Sequence, residues 1–122
     1  MHLGLAMKKI IVFCFVLLTP IVVSAAVLDT RNYEVTITRN CEEGNVTCDN
    51  VTYKGVSKKS GKNIILKGTT IHSKCADGVT PCRFQGYEFK NGDITYRVLE
   101  VGVLQIIRNN KELLIEEKGK WK

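Results

Sequence analysis

The chain has 122 residues, with 18 Lys and Arg against 12 Asp and Glu and a formal net charge of +6. That length gives one domain with a modest core and excludes a second folded unit. No linker or low-complexity tract interrupts it.

Residues 1–26 read as a cleaved secretory signal. Lys8-Lys9 supply its positive start, Ile10 to Val23 its apolar stretch, and Ser24-Ala25-Ala26 its small-residue processing site. Met7, followed at once by the two lysines, fits a natural start of translation. The apolar stretch is short for a membrane span, so no stable membrane anchor is expected. Cys14 is not in a lipoprotein-type cleavage context. Removing Lys8 and Lys9 with the signal leaves 16 basic against 12 acidic residues, a formal +4 over 27–122.

From residue 27 onward, period-two alternation dominates, and the expected domain is all-β over 27–122. Tyr33, Val35 and Ile37 share one strand face, and Val51 and Tyr53 alternate likewise. Between them lies Cys41-Glu-Glu-Gly44-Asn-Val-Thr-Cys48. Ser60-Gly61 marks a turn before the strand-like runs Ile64-Ile65-Leu66 and Thr69–Lys74. A second cysteine loop, Cys75-Ala-Asp77-Gly78-Val-Thr-Pro-Cys82, leads into an aromatic-rich strand over 84–89. Asn91-Gly92 is a tight-hairpin dipeptide, because both residues tolerate positive φ. Ile94, Tyr96 and Val98 alternate after it. Asn109-Asn110 is a further turn, and the segment over 111–118 suits a hairpin strand better than a short helix. The sum is roughly seven or eight short antiparallel strands in a small sandwich or barrel.

The two cysteine loops belong to a longer repeat. Thr36-Ile37 precedes the first loop as Thr70-Ile71 precedes the second, and Tyr53 follows the first as Tyr87 follows the second, all at an offset of 34 residues. The unit T-I-x3-C-x-[DE]-G-x3-C-x4-Y suggests two pseudo-equivalent β units. Four cysteines behind a signal imply disulfides in an oxidising compartment. Of the three pairings, repetition favours the local one, Cys41 with Cys48 and Cys75 with Cys82. A four-cysteine zinc site is the alternative, but C-x6-C is longer than the usual knuckle spacing.

Candidate chemistry is sparse. The acid–Gly pairs of the loops read as turn formers, and too few oxygen ligands are specified for calcium. Arg83, Gln85 and Tyr87 would share one strand face, with Phe84 on the other and a bulge at Gly86, and could recognise a glycan or peptide. No acidic residue separates Lys54, Lys58, Lys59, Lys62, Lys67 and Lys74, and the first four could form a patch for an anionic envelope ligand. The plainer reading of both features is a solvated strand face and lysines that protect a sheet edge. Nucleic acid does not suit an exported chain without a basic–aromatic RNA motif. His72 is the only histidine after the signal, and no partners for it can be picked out. No motif for a redox pair, a metalloprotease or a phosphate loop occurs, so no catalytic residue, metal or cofactor is assigned.

The run from Cys75 to Phe89, CADGVTPCRFQGYEF, resembles the Fels-1 prophage protein-like family of enterobacteria. That resemblance implies a small periplasmic or secreted protein and brings no established activity. The expected protein is a monomeric, non-enzymatic, disulfide-stabilised binding module of the periplasm, acting on an envelope component or protein. An inhibitor of an envelope-targeting hydrolase such as lysozyme is the second reading, although the +4 charge opposes encounter with a basic enzyme. A hydrolase using His72 is the third.

Overall fold

The computed structural model describes residues 24–42 and 44–122. The expected signal segment lies outside the described residues as far as residue 23. Its last three residues, 24–26, open the first strand.

Eight antiparallel strands follow one another around a closed barrel: β1 (Ser24–Thr30), β2 (Tyr33–Arg39), β3 (Val51–Ser57), β4 (Asn63–Lys74), β5 (Pro81–Asn91), β6 (Ile94–Leu99), β7 (Val103–Arg108) and β8 (Glu112–Trp121). Each strand pairs with its sequence neighbours. Closure comes from β8 returning to β1 through Leu28–Trp121, Asp29–Lys120 and Thr30–Gly119. The segment over 111–118 is therefore strand from Glu112 onward, with Lys111 completing the turn that the paired asparagines predicted. Ile64–Leu66 and Thr69–Lys74, expected as separate pieces, form one twelve-residue strand that runs through Gly68.

Alternation sends one face of every strand inward. Leu28, Val35, Ile37, Val51, Tyr53, Phe89, Val98 and Leu104 are essentially fully buried and fill the interior. Interior burial of these apolar side chains stabilises by roughly 1.5–3 kcal/mol each. The outer face is polar at mid-barrel. Glu88, Arg97, Gln105 and Glu116 lie side by side across β5–β8. Arg97 Nε donates to Glu88 Oε2 at 3.0 Å, and Gln105 Nε2 donates to Glu116 Oε2 at 2.8 Å. Such a belt is the reverse of the apolar band of a lipid-facing barrel. No helix among the described residues is long and apolar enough to cross a membrane.

The disulfides are Cys41–Cys48 and Cys75–Cys82, with Cα atoms 5.8 and 5.1 Å apart. Two such bonds belong to an oxidising compartment outside the cytoplasm. Each closes the loop of a hairpin, β2–β3 or β4–β5, at the same end of the barrel. Tyr53 and Tyr87 both enter the core from the departing strands. The incoming strands differ by one residue, however. Tyr53 pairs with Ile37, whereas Tyr87 pairs with Thr70. A slip of one residue exchanges faces. Ile37 is thus buried in the core, while Ile71 falls on the face opposite Thr70 and is half-buried.

Gly86 accompanies the difference. Ile71 pairs with Gly86 and His72 with Phe84, so Gln85 is an extra residue on β5. Gly86 has φ 144°, and a Cβ there would lie 2.3 Å from the Val98 carbonyl oxygen. The bulge corrects the expected face. Phe84 turns inward beside Tyr87, with ring centroids 5.1 Å apart, while Arg83 and Gln85 remain exposed. The hairpin expected at Asn91-Gly92 forms one residue later. Asn91 pairs with Ile94, and Gly92-Asp93 makes the two-residue loop with positive φ at Gly92 alone. Glycine at the first loop position suits a type II′ turn.

Candidate ligand-binding mouth

The two ends of the barrel carry different chemistry. At the end formed by the short turns, alternation places Tyr33, Tyr53 and Tyr96 on the inner faces of β2, β3 and β6. Their rings surround a cavity of about 230 Å³ with Gly55, Ser57, Lys62, Asn63, Ile64 and Ile106. The Tyr53 ring centroid lies 5.3 Å from that of Tyr96 and 5.1 Å from that of Phe89, both tilted by about half a right angle. Gly55 is what admits this ring, since a Cβ there would meet the Tyr53 hydroxyl at 2.5 Å.

Burial pushes the Tyr53 phenol well above the usual tyrosine range, helped by the nearby Tyr96 and Tyr33. Burial and Tyr33 raise Tyr96 as well. Both are neutral hydroxyls at ordinary pH. The polar lining is unevenly distributed. Ser57, Lys62 and Asn63 all belong to the β3–β4 hairpin, which also contributes Tyr53, Gly55 and Ile64, while Tyr33, Tyr96 and Ile106 come from β2, β6 and β7. Such a cavity offers apolar ring faces together with a few convergent donors, the usual make-up of a small-molecule site.

The lysines named from sequence do not form one patch. Lys54 lies exposed on the outer face of β3. Lys58 Nζ is bound to Asp29 Oδ1 at 2.5 Å and to the Thr30 carbonyl at 2.7 Å. That contact holds the Asp29 carboxyl below its usual range. Lys59 is exposed in the β3–β4 turn, and Lys62 alone lines the cavity.

The cysteine-loop end carries two open hollows, one of about 450 Å³ beside the first loop and one of about 300 Å³ between the loops that Thr70 and His72 help to line. Tyr87 is 8% exposed and cannot share a surface with Arg83 and Gln85. Burial raises its phenol, against the neighbouring Arg39 guanidinium. Arg39 also lies 5.7 Å over the Phe84 ring, whose centroid is 5.7 Å from that of His72. His72 faces inward, with Nε2 3.0 Å from the Thr70 hydroxyl. The same hydroxyl accepts the Cys48 backbone N–H at 3.0 Å, and the Thr70 N–H donates to the Cys48 carbonyl. His72 Nδ1 is buried without a partner, so the carboxylate that would orient a catalytic imidazole is not in place among the described residues. Thr70 instead ties the first cysteine loop to the strand entering the second.

Sequence reasoning placed the site at Arg83–Tyr87 and the lysine block, and of these residues only Lys62 reaches the cavity. The cavity residues that the sequence did not single out are Tyr33, Tyr53 and Tyr96. Each carries the inward parity of its strand, which is the signal that could have singled them out. Comparison of the chain with family models, with curated proteins and with solved structures gave no match.

Proposed function

We propose that this protein is an exported, non-enzymatic binding module of the bacterial periplasm that takes a small ring-bearing ligand into its tyrosine-lined mouth. The observation that carries the reading is the convergence of Tyr33, Tyr53 and Tyr96 around the 230 Å³ cavity. Tyrosines supply large, stiff contact area at low entropic cost together with a hydroxyl for orientation. The disulfides and the polar outer belt support a protein that works in an aqueous, oxidising space. The signal-like N-terminus and the resemblance to the Fels-1 prophage protein-like family support the periplasm in particular.

The cavity volume suits one or two rings. Titration of the folded protein with 2-naphthalenemethanol, followed by amide chemical shifts, tests the reading. Shifts confined to the strands around Tyr33, Tyr53 and Tyr96, abolished in Tyr96→Ala, are expected. Shifts scattered over the surface, or unchanged in that variant, would overturn it.

A further inference from the structure

We infer that the mouth selects ligands whose ring body carries an anionic group, and that Lys62 is the residue that anchors the charge. This rests on the binding role proposed for the mouth and adds the chemical class of its ligand.

The inference begins with the use made of the acids at this end of the barrel. Asp29 is held by Lys58, and Glu112 is paired with Arg108 at 3.5 Å. Glu117 accepts hydrogen bonds from Thr30 and Asn32. Three of the carboxylates near the mouth are therefore committed to structural contacts. The cations are not matched in the same way. Among the described residues, Lys59, Lys62 and Lys111 have no carboxylate within ion-pair distance. These lysines stand in or beside the turns that ring the opening, and the Asp93 carboxylate of the β5–β6 turn offsets only one of the three, leaving the rim net positive. Unpaired cations around a concave opening raise the local concentration of anions.

Only Lys62 lines the cavity. Its carbonyl accepts the Ser57 N–H at 2.9 Å, and Ser57, on the inward parity of β3 with Tyr53 and Gly55, adds a hydroxyl beside it. The rest of the lining is apolar, with Tyr96 and Ile106 coming from β6 and β7. A ligand with separate apolar and anionic halves satisfies both parts in one orientation, rings against Tyr33 and Tyr96 and charge toward the β3–β4 hairpin. A neutral ring leaves Lys62 without a counter-charge. An anion without a ring leaves the apolar lining wet. Charge-assisted hydrogen bonds in a partly enclosed site are the stronger kind.

Two probes of nearly equal shape separate this inference from the reading it rests on: 2-naphthoate, an anion, and 2-naphthalenemethanol, its neutral counterpart. Calorimetric titration of both into the full folded protein at low ionic strength is expected to show 2-naphthoate binding about tenfold more tightly. Added sodium chloride should erode the difference. Lys62→Ala should abolish it by weakening 2-naphthoate far more than the alcohol, and Tyr96→Ala should weaken both probes. Lys59→Ala, a change outside the cavity, should lower the naphthoate affinity by less than Lys62→Ala does. Equal affinity for the two probes, or a naphthoate preference that survives Lys62→Ala, overturns the anion inference and leaves the binding mouth standing. Failure of both probes to bind overturns the two together.

Discussion

The Thr30 hydroxyl donates to Glu117 Oε1 at 2.7 Å, joining the first strand to the last across 87 residues of sequence. The same carboxylate accepts the Asn32 backbone N–H at 3.1 Å and the Asn32 side-chain amide at 2.6 Å. One side chain thereby satisfies three donors at the seam where the barrel closes. Burial raises the Glu117 carboxyl, but the bonds from Asn32 and Thr30, with the charge of Arg31, outweigh it and hold the group below its usual range.

Glu117→Ala is expected to destabilise the fold by about 2–3 kcal/mol, because it leaves the buried Thr30 hydroxyl and the Asn32 donors without their charged acceptor. Urea unfolding measures the loss. The lowered carboxyl also fixes the sign of a pH effect. Its stabilisation is fully present above the unfolded-state value of about 4.3 and fades as pH falls below it. Wild-type protein should therefore lose stability below about pH 4 more steeply than Glu117→Ala does.

Gly86→Ala is expected to cost at least about 2 kcal/mol, since the residue combines a positive φ with a backbone oxygen where Cβ would sit. Gly92→Asn is the control. That position also has positive φ, but a Cβ there meets nothing within 4 Å, and asparagine tolerates the conformation. Thermal unfolding of the pair should show a large loss for the first and less than about 1 kcal/mol for the second.

The two disulfides close loops of equal length, with the same sequence separation of 7. Loop-closure entropy therefore assigns each the same stabilisation, about 2.5 kcal/mol. Their surroundings differ. Cys48 is 1% exposed and packs in the core, whereas Cys82 is exposed. Cys41→Ala/Cys48→Ala is expected to cost about 1 kcal/mol more than Cys75→Ala/Cys82→Ala, the added loss coming from the space left by a buried sulfur. Equal losses would show that Cys48 contributes nothing beyond its cross-link.

Asp77 provides an acid-sensitive contact away from the seam. Its carboxylate accepts the Val79 and Thr80 N–H groups at 2.9 Å each and is also bound by the Thr80 hydroxyl. The Thr80 hydroxyl and amide, with the Val79 amide, hold it down to about 2. The contact is intact above the unfolded-state value of about 3.9 and is lost as pH falls through about 2. The Val79 and Thr80 amide proton shifts should titrate with a midpoint near pH 2 and stay flat in Asp77→Asn. A midpoint near 4 would show that the turn gives the carboxylate no advantage.

Much of the architecture was legible because its signals are local. Alternation in Tyr33–Ile37 and Ile94–Val98 defines strands, and Asn109-Asn110 marks a turn with φ of 51° and 58°. The duplicated loops pointed to the pairing that the disulfides adopt. The mouth was harder to read, because Tyr33, Tyr53 and Tyr96 meet only after closure sets three strands around one opening. Arg83, Gln85 and Tyr87 were misplaced for a related reason. A single extra residue at Gln85 reverses the alternation, and nothing local says which partner strand lacks its counterpart. Lys58 and Lys62 look alike in sequence, yet one is bound to Asp29 and the other lines a cavity.

The order of strands around the barrel has a consequence for how the chain assembles. Seven of its eight pairings join consecutive strands and can form as local hairpins. Only β1 with β8 requires the ends of the chain to meet, and that contact spans just three residue pairs. Loop-closure entropy makes such a joint the last and slowest to form. In a chain that emerges N-terminus first, Leu28 appears long before its partner Trp121, so β1 spends the interval with one edge unsatisfied. Glu117 is among the late arrivals that end this exposure. Its three hydrogen bonds fasten the turn after β1 to the strand that closes the barrel.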